Sequence, residues 1–189
     1  MQGRMRRIWS AAALALSLAA CASAPLPPRD DVADVAGADY RLGTADRLRI
    51  TVYGEPSLSG EFAVGAQGHL ALPLIGQTPA AGLTASQLEA AIAGALSQGY
   101  MLDPRVTAEV IAYRPFYILG EVNRPGEYPY AARLTVLNAV ATAQGFSYRA
   151  DTRRVYIRRA DGREEQAYAL TAATPVAPGD TLRIGERYF

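Results

Sequence analysis

The 189-residue chain contains no lysine, one histidine, one cysteine and one tryptophan. Its basic residues are all arginine, a bias that goes with high alanine content and a GC-rich genome and carries no functional message. The lone histidine, His69, sits beside Gly68 in an expected turn, and a metal site needs several His, Cys or carboxylate ligands at suitable spacing. No Gly-x-Ser-x-Gly elbow and no phosphate loop is present, so nucleophilic and nucleotide chemistry lack their usual carriers. Asp30-Asp31 and Glu164-Glu165 are adjacent carboxylates, but neighbours on an extended segment point to opposite sides and make poor acid–base pairs. The sequence therefore predicts no enzyme, no cofactor and no metal. Past residue 20, no apolar run is long enough for a membrane-spanning helix, which needs roughly 20 residues.

The single cysteine carries the clearest signal. Arg4, Arg6 and Arg7 precede an apolar stretch from Ile8 to Ala20, and Leu18-Ala19-Ala20-Cys21 closes it. A basic start, a short apolar run and small residues at the cut read as a secretory signal peptide over residues 1–20. Leu-Ala-Ala-Cys resembles the lipobox of bacterial lipoproteins. That resemblance implies that Cys21 receives a diacylglyceryl thioether, becomes the mature N-terminus and is acylated again. Such a bond also removes the hazard of a lone thiol in an exported protein, and several acyl chains give a stable anchor. Ala22, in place of Asp, follows the cysteine, which by resemblance to sorting rules favours the outer membrane over the inner one.

Cleavage leaves 169 residues with a formal charge of −2, from 16 arginines against 18 acids. That balance does not suit a polyanion partner, and no nucleic acid is expected. Residues 21–38, with Pro25, Pro27, Pro28, Asp30, Asp31 and Asp34, read as a flexible lipidated tether.

Folding is expected to start near Tyr40. Leu48 to Tyr53 alternates apolar and polar β-formers and reads as a strand. Shorter strands follow around Phe62–Val64 and Leu70–Leu74, split by Gly65-Ala66-Gln67-Gly68. Thr84 and Gln87 form a capping box for a helix with Leu88, Ile92, Ala95 and Leu96 on one face, stopped by Gly99. A strand with Val106, Ala108, Val110 and Ala112 on one side ends at Arg114-Pro115, a boundary. Beyond it come a strand over residues 116–122, a turn at Pro125-Gly126 and a return strand over residues 128–130. A helix capped by Thr135 follows, with Val136, Leu137, Val140 and Ala141. The last elements are a hairpin about Asp161-Gly162 and a strand from Thr181. Leu88, Ile92, Leu137 and Val140 are expected in the core. The order predicts an α+β fold of two small units, the second suiting a β-grasp. Asp46-Arg47-Leu48-Arg49-Ile50 is echoed by Asp180-Thr181-Leu182-Arg183-Ile184, in the manner of turn–strand junctions.

These pieces resemble outer-membrane polysaccharide export lipoproteins of the Wza type. The resemblance rests on Tyr40-Arg41-Leu42-Gly43, Asp46, Leu48 to Glu55, Leu72-Pro73-Leu74-Ile75-Gly76, Ala81-Gly82-Leu83-Thr84 and Asp103-Pro104-Arg105-Val106. It continues with Tyr117 to Val122, Pro125-Gly126 and Tyr128, which resemble the start of a soluble-ligand-binding β-grasp domain. It implies a polysaccharide export domain at residues 39–113 and that β-grasp domain at residues 114–189. It further implies a homo-oligomeric periplasmic ring, anchored in the outer membrane through Cys21, that carries capsular polysaccharide or exopolysaccharide to the surface. An inner-membrane co-polymerase is the implied partner. Larger members add β-grasp repeats and a membrane-crossing C-terminal helix. This sequence resembles the short members, for which a separate outer-membrane β-barrel is the expected exit. A periplasmic β-grasp ligand-binding module without a transport role is the alternative. Aromatic faces stack on sugars, which makes Tyr113, Tyr117, Tyr128, Tyr130, Tyr148 and Tyr156 candidates, although tyrosine is also a good strand former. Arg153, Arg154, Arg158 and Arg159 read first as a solvated face or subunit contact, then as a contact for acidic polymer or lipid headgroups.

Overall fold

The computed structural model describes residues 40–187. The signal peptide, Cys21 and the tether lie outside the described residues.

The first unit begins with β1 (Arg47–Val52), whose alternating pattern buries Leu48, Ile50 and Val52. A 3-10 turn (Pro56–Leu58) leads to β2 (Gly60–Ala63), and β3 (His69–Leu72) and β4 (Gly76–Pro79) form a hairpin of their own. Helix α1 (Ala85–Ser97) precedes β5 (Val106–Ala112). The sheet order is β2-β1-β5, antiparallel throughout. Thr84 Oγ1 accepts from the Gln87 amide and the Gln87 side chain accepts from the Thr84 amide, so the capping box forms as expected. Leu88, Ile92 and Leu96 make the inner stripe of α1 and are buried against the sheet. Glu89 Oε1 accepts from the Ala108 amide at 2.8 Å, so the helix also occupies an amide of edge strand β5.

The second unit comprises β6 (Phe116–Gly120), β7 (Gly126–Tyr128), α2 (Val136–Thr142), β8 (Ala150–Arg158), β9 (Gln166–Ala169) and β10 (Thr181–Glu186). Its sheet runs β7-β6-β10-β8-β9, with β10 parallel to β6 and every other pair antiparallel. Two hairpins flank a last strand that returns to the centre, and a helix covers one face. This is the β-grasp arrangement. Phe116, Ile118, Val155, Ile157, Leu182 and Ile184 point from the sheet into a core closed by Val136, Ala139 and Val140.

Several local expectations shift. Strand β3 stops at Leu72, and the chain turns back through β4, whose Gly76, Gln77 and Pro79 carry no strand signal. Strand β7 ends at Tyr128 rather than running on to Tyr130. Strand β8 starts at Ala150, five residues before the apolar Val155-Tyr156-Ile157, because Ala150 pairs with Glu186 of β10 across a register break, while Arg154 pairs with Ala169 of β9 and the Arg153 carbonyl accepts from the Leu170 amide. Residues 159–165 join β8 to β9, and the Gly162 amide bonds the Arg159 carbonyl, a longer connection than a two-residue turn at Asp161-Gly162. Leu137 is a correction: it is 37% exposed, because α2 turns only Val136, Ala139 and Val140 inward.

Candidate ligand cleft between the two units

The echoed motifs are the same device built twice. Gly43-Thr44-Ala45-Asp46 and Ala177-Pro178-Gly179-Asp180 are turns closed by an amide-to-carbonyl bond of 3.2 Å from the aspartate to the first residue. The third residue has positive φ in both, +74° at Ala45 and +82° at Gly179, as a type II turn requires. In each, the aspartate Oδ2 accepts from the amide of the first residue at 2.7 Å. Each turn then feeds a central strand, β1 or β10. Both carboxylates are fully buried.

Their remaining contacts differ. Asp46 is saturated: Tyr40 donates its hydroxyl to Oδ2 at 2.6 Å, and the Arg114 amide donates to Oδ1 at 2.8 Å. Asp180 receives Arg159 Nη1 at 2.5 Å on Oδ2, while its Oδ1 is buried without a hydrogen-bond partner. Burial pushes the Asp180 carboxyl above the usual carboxylate range, against the pull of Arg159.

Arg114 joins the two turns. Its amide serves Asp46 in the first unit, and its Nε donates to the Pro178 carbonyl in the second at 3.1 Å. Its side chain passes between two glycines. A Cβ on Gly43 would lie 1.8 Å from Arg114 Nη1, and one on Gly179 would lie 3.1 Å from its Nε. Gly43 thus lets the Arg114 guanidinium lie close against the backbone, whereas Gly179 serves both space and φ. Beside this lock runs a tyrosine ladder. Tyr113 meets Tyr40 edge-on at 5.0 Å and 82°, and Tyr130 at 5.5 Å and 75°. Tyr40 belongs to the first core, Tyr130 to the second, and Tyr113 packs against both. Burial raises the pKa of all three hydroxyls, helped at Tyr40 by its bond to Asp46.

A half-open cleft of about 560 Å³ lies along this junction. Its walls come from the opening of the first unit, the Ala81-Gly82 turn before α1, Arg114, the β8–β9 connection and the Asp180 turn. Arg41, Arg114 and Arg159 all reach it.

The structure sorts the candidate sugar contacts. Tyr113 and Tyr130 are joints between cores, and Tyr128 stacks on Phe116 at 5.9 Å and donates to the Arg124 carbonyl at 2.8 Å. Tyr156 lies beneath the Arg183 guanidinium, 4.1 Å from its centroid, and Glu165 fixes Arg183 from the side. Tyr117 and Tyr148 are exposed, the latter at 87%. The four arginines do not act together: Arg153 pairs with Asp151, Arg158 donates to Thr181, Arg159 holds Asp180, and Arg154 is exposed. His69 Nδ1 lies 2.9 Å from the Gln67 carbonyl. Sequence reasoning passed over Arg41 and Arg114, whose partners lie 41 and 68 residues away. The repeated Asp motif was the one available signal.

Comparison with known proteins follows the same division. Residues 34–111 match the family described as polysaccharide biosynthesis/export protein, and residues 115–167 match the SLBB domain. The chain belongs to the polysaccharide export family. It is 40% identical over 139 residues to the exopolysaccharide production protein ExoF of Rhizobium meliloti, covering 67% of this chain and 33% of that protein. It is 28% identical over 109 residues to the polysialic acid transport protein KpsD of Escherichia coli, covering 57% of this chain and 20% of KpsD. It is 29% identical over 135 residues to the EPS I polysaccharide export outer membrane protein EpsA of Ralstonia nicotianae, covering 57% and 35%. The chain therefore spans between a fifth and about a third of these relatives' length.

Proposed function

We propose that this protein is a lipid-anchored subunit of a periplasmic ring that conducts capsular polysaccharide or exopolysaccharide to the cell surface. The observation that carries the reading is the match to an export domain and then to an SLBB domain on one chain, the first over the stretch that builds one core and the second over the larger part of the stretch that builds the other. The names of ExoF, KpsD and EpsA, which concern production, transport or export of polysaccharide, support it. Acylated Cys21 holds the protein at the outer membrane, and residues 21–38 tether a folded body that faces the periplasm. The inner-membrane co-polymerase and the separate outer-membrane β-barrel belong to the proposal through the family resemblance alone. Among the described residues, no helix is long and apolar enough to cross a membrane.

The rigid junction suits such a role. Two small units with small cores would hinge freely if joined by a bare linker. The tyrosine ladder and Arg114 make them one body that can repeat around a ring with fixed geometry. Electron microscopy of detergent-extracted protein tests the assembly. Closed rings are expected, and a uniformly monomeric preparation at membrane-like concentration would contradict the conduit.

A further inference from the structure

The three cleft arginines spend their charge unequally. Arg159 is committed to Asp180 and sits 5.4 Å from the Tyr168 ring centroid. Arg41 and Arg114 form no ion pair among the described residues. Each is instead held by one backbone carbonyl: Arg41 Nη1 by Gly82 at 2.8 Å, and Arg114 Nε by Pro178 at 3.1 Å. An arginine has five N–H donors in a fixed plane. The terminal nitrogens of Arg114 and the Nη2 of Arg41 therefore keep their donors for something else. The charge that would ordinarily quench them is turned inward, since Asp46 is saturated by two amides and a hydroxyl.

We propose that this cleft binds a carboxylate-bearing sugar unit, with Arg41 and Arg114 gripping the carboxylate. The sugar half of the claim rests on the export reading above, whereas the anion half rests on the arginines. A guanidinium fork matches a carboxylate with two parallel hydrogen bonds, and two forks fixed by backbone carbonyls lose little freedom on binding. Leu42, Ala160 and Pro178 give the cleft an apolar wall for the C–H face of a pyranose ring. Thr44 is exposed beside them, and so is the Asp161 carboxylate, both placed to meet ring hydroxyls. Asp180 Oδ1, buried in the same wall without a donor, favours a ligand rich in hydroxyl groups. A volume of about 560 Å³ accommodates a saccharide of one to a few units, within the range of roughly 300–1,000 Å³ usual for small-ligand sites. Because the walls come from both units, occupancy would also brace the junction.

Titration calorimetry on the whole mature protein provides the test, with glucuronate, a short glucuronate-containing oligosaccharide, glucose and inorganic phosphate as probes. The acidic sugars should bind, glucose should not, and added salt should weaken the binding. Arg41→Gln, at an exposed side chain outside both cores, should lower affinity about tenfold or more, as loss of one charged fork implies. Arg153→Gln, which faces Asp151 away from the cleft, should leave affinity unchanged. Arg114→Gln should abolish binding, with circular dichroism reporting whether the fold is retained. No binding of either acidic sugar, equal binding of glucose and glucuronate, or an unchanged Arg41→Gln variant would overturn the proposal. Equal affinity for phosphate and glucuronate would overturn its sugar half. Those outcomes leave the export reading standing, which falls separately if polymer reaches the surface of cells lacking the gene.

Discussion

Asp180 shows how much one side chain can hold in tension. It is fully buried, bonded on one oxygen to Ala177 and Arg159 and on the other to nothing. Burial raises its pKa from 3.8, so the folded state keeps the proton to higher pH than the unfolded chain does. The stability from this group is complete below the unfolded pKa and is lost as pH rises through the folded one. Asp180→Asn removes that titration. Its stability relative to wild type should therefore rise between about pH 3 and pH 7, read from urea unfolding midpoints. A relative stability that falls over this interval would show the Arg159 pair outweighing desolvation. Glu165 should behave in the opposite sense, since its bonds to Arg183 lower its pKa and their contribution fades on acidification below 4.5. Cys21 is the other decisive residue. Cys21→Ser should leave the folded body intact, remove the acyl mass and release the protein from the outer membrane on fractionation. Outer-membrane association persisting in that variant would contradict the anchor. The Asp46 and Asp180 motifs were visible as repeated letters. Their work was not, because a carboxylate's donors come from wherever the chain folds back, as Arg114 does across 68 residues.

Elements governed by local rules were legible. Thr84 and Gln87 cap α1, and Leu88, Ile92 and Leu96 face inward, because capping and helical spacing are decided within a few residues. The hairpin strand β4 was missed for the complementary reason: its residues have poor strand propensity and are held by the register to β3. Helix α2 is intermediate. Thr135 caps it as expected, with its hydroxyl 3.4 Å from the Asn138 amide. Over only seven residues, however, the spacing does not fix the inward face, and Leu137 turns out. A pair of variants separates the two cases. Leu88→Ala, at a fully buried site, should cost ~2–5 kcal/mol. Leu137→Ala should stay within about 1 kcal/mol, as surface substitutions do. Thermal melts of both decide it, and an equal loss in the two variants would contradict the packing of α2.

At the scale of the whole molecule, the two-unit plan and the β-grasp were legible from element order, since two hairpins around one helix with a final strand admit few sheets. The cleft was not, because its walls come from five separate stretches of chain. The lock between the units can be measured directly. Gly43→Ala should destabilise the protein modestly, since the added methyl displaces the Arg114 guanidinium from its place beside the Pro178 carbonyl. Arg114→Ala should also destabilise it by removing the side-chain bond to the Pro178 carbonyl, while the backbone amide still serves Asp46. The double variant should lose less than the two single losses together, because removing the arginine removes the side chain that the methyl displaces. Strict additivity would show that the two residues do not meet. Export of polymer, as distinct from packing, is measured directly in cells. Cells lacking this gene should be assayed together for surface polysaccharide and for intracellular lipid-linked repeat units. The account predicts that surface polymer disappears while repeat units are still made, and that the wild-type gene restores export. Normal surface polymer in the deletion strain would contradict it.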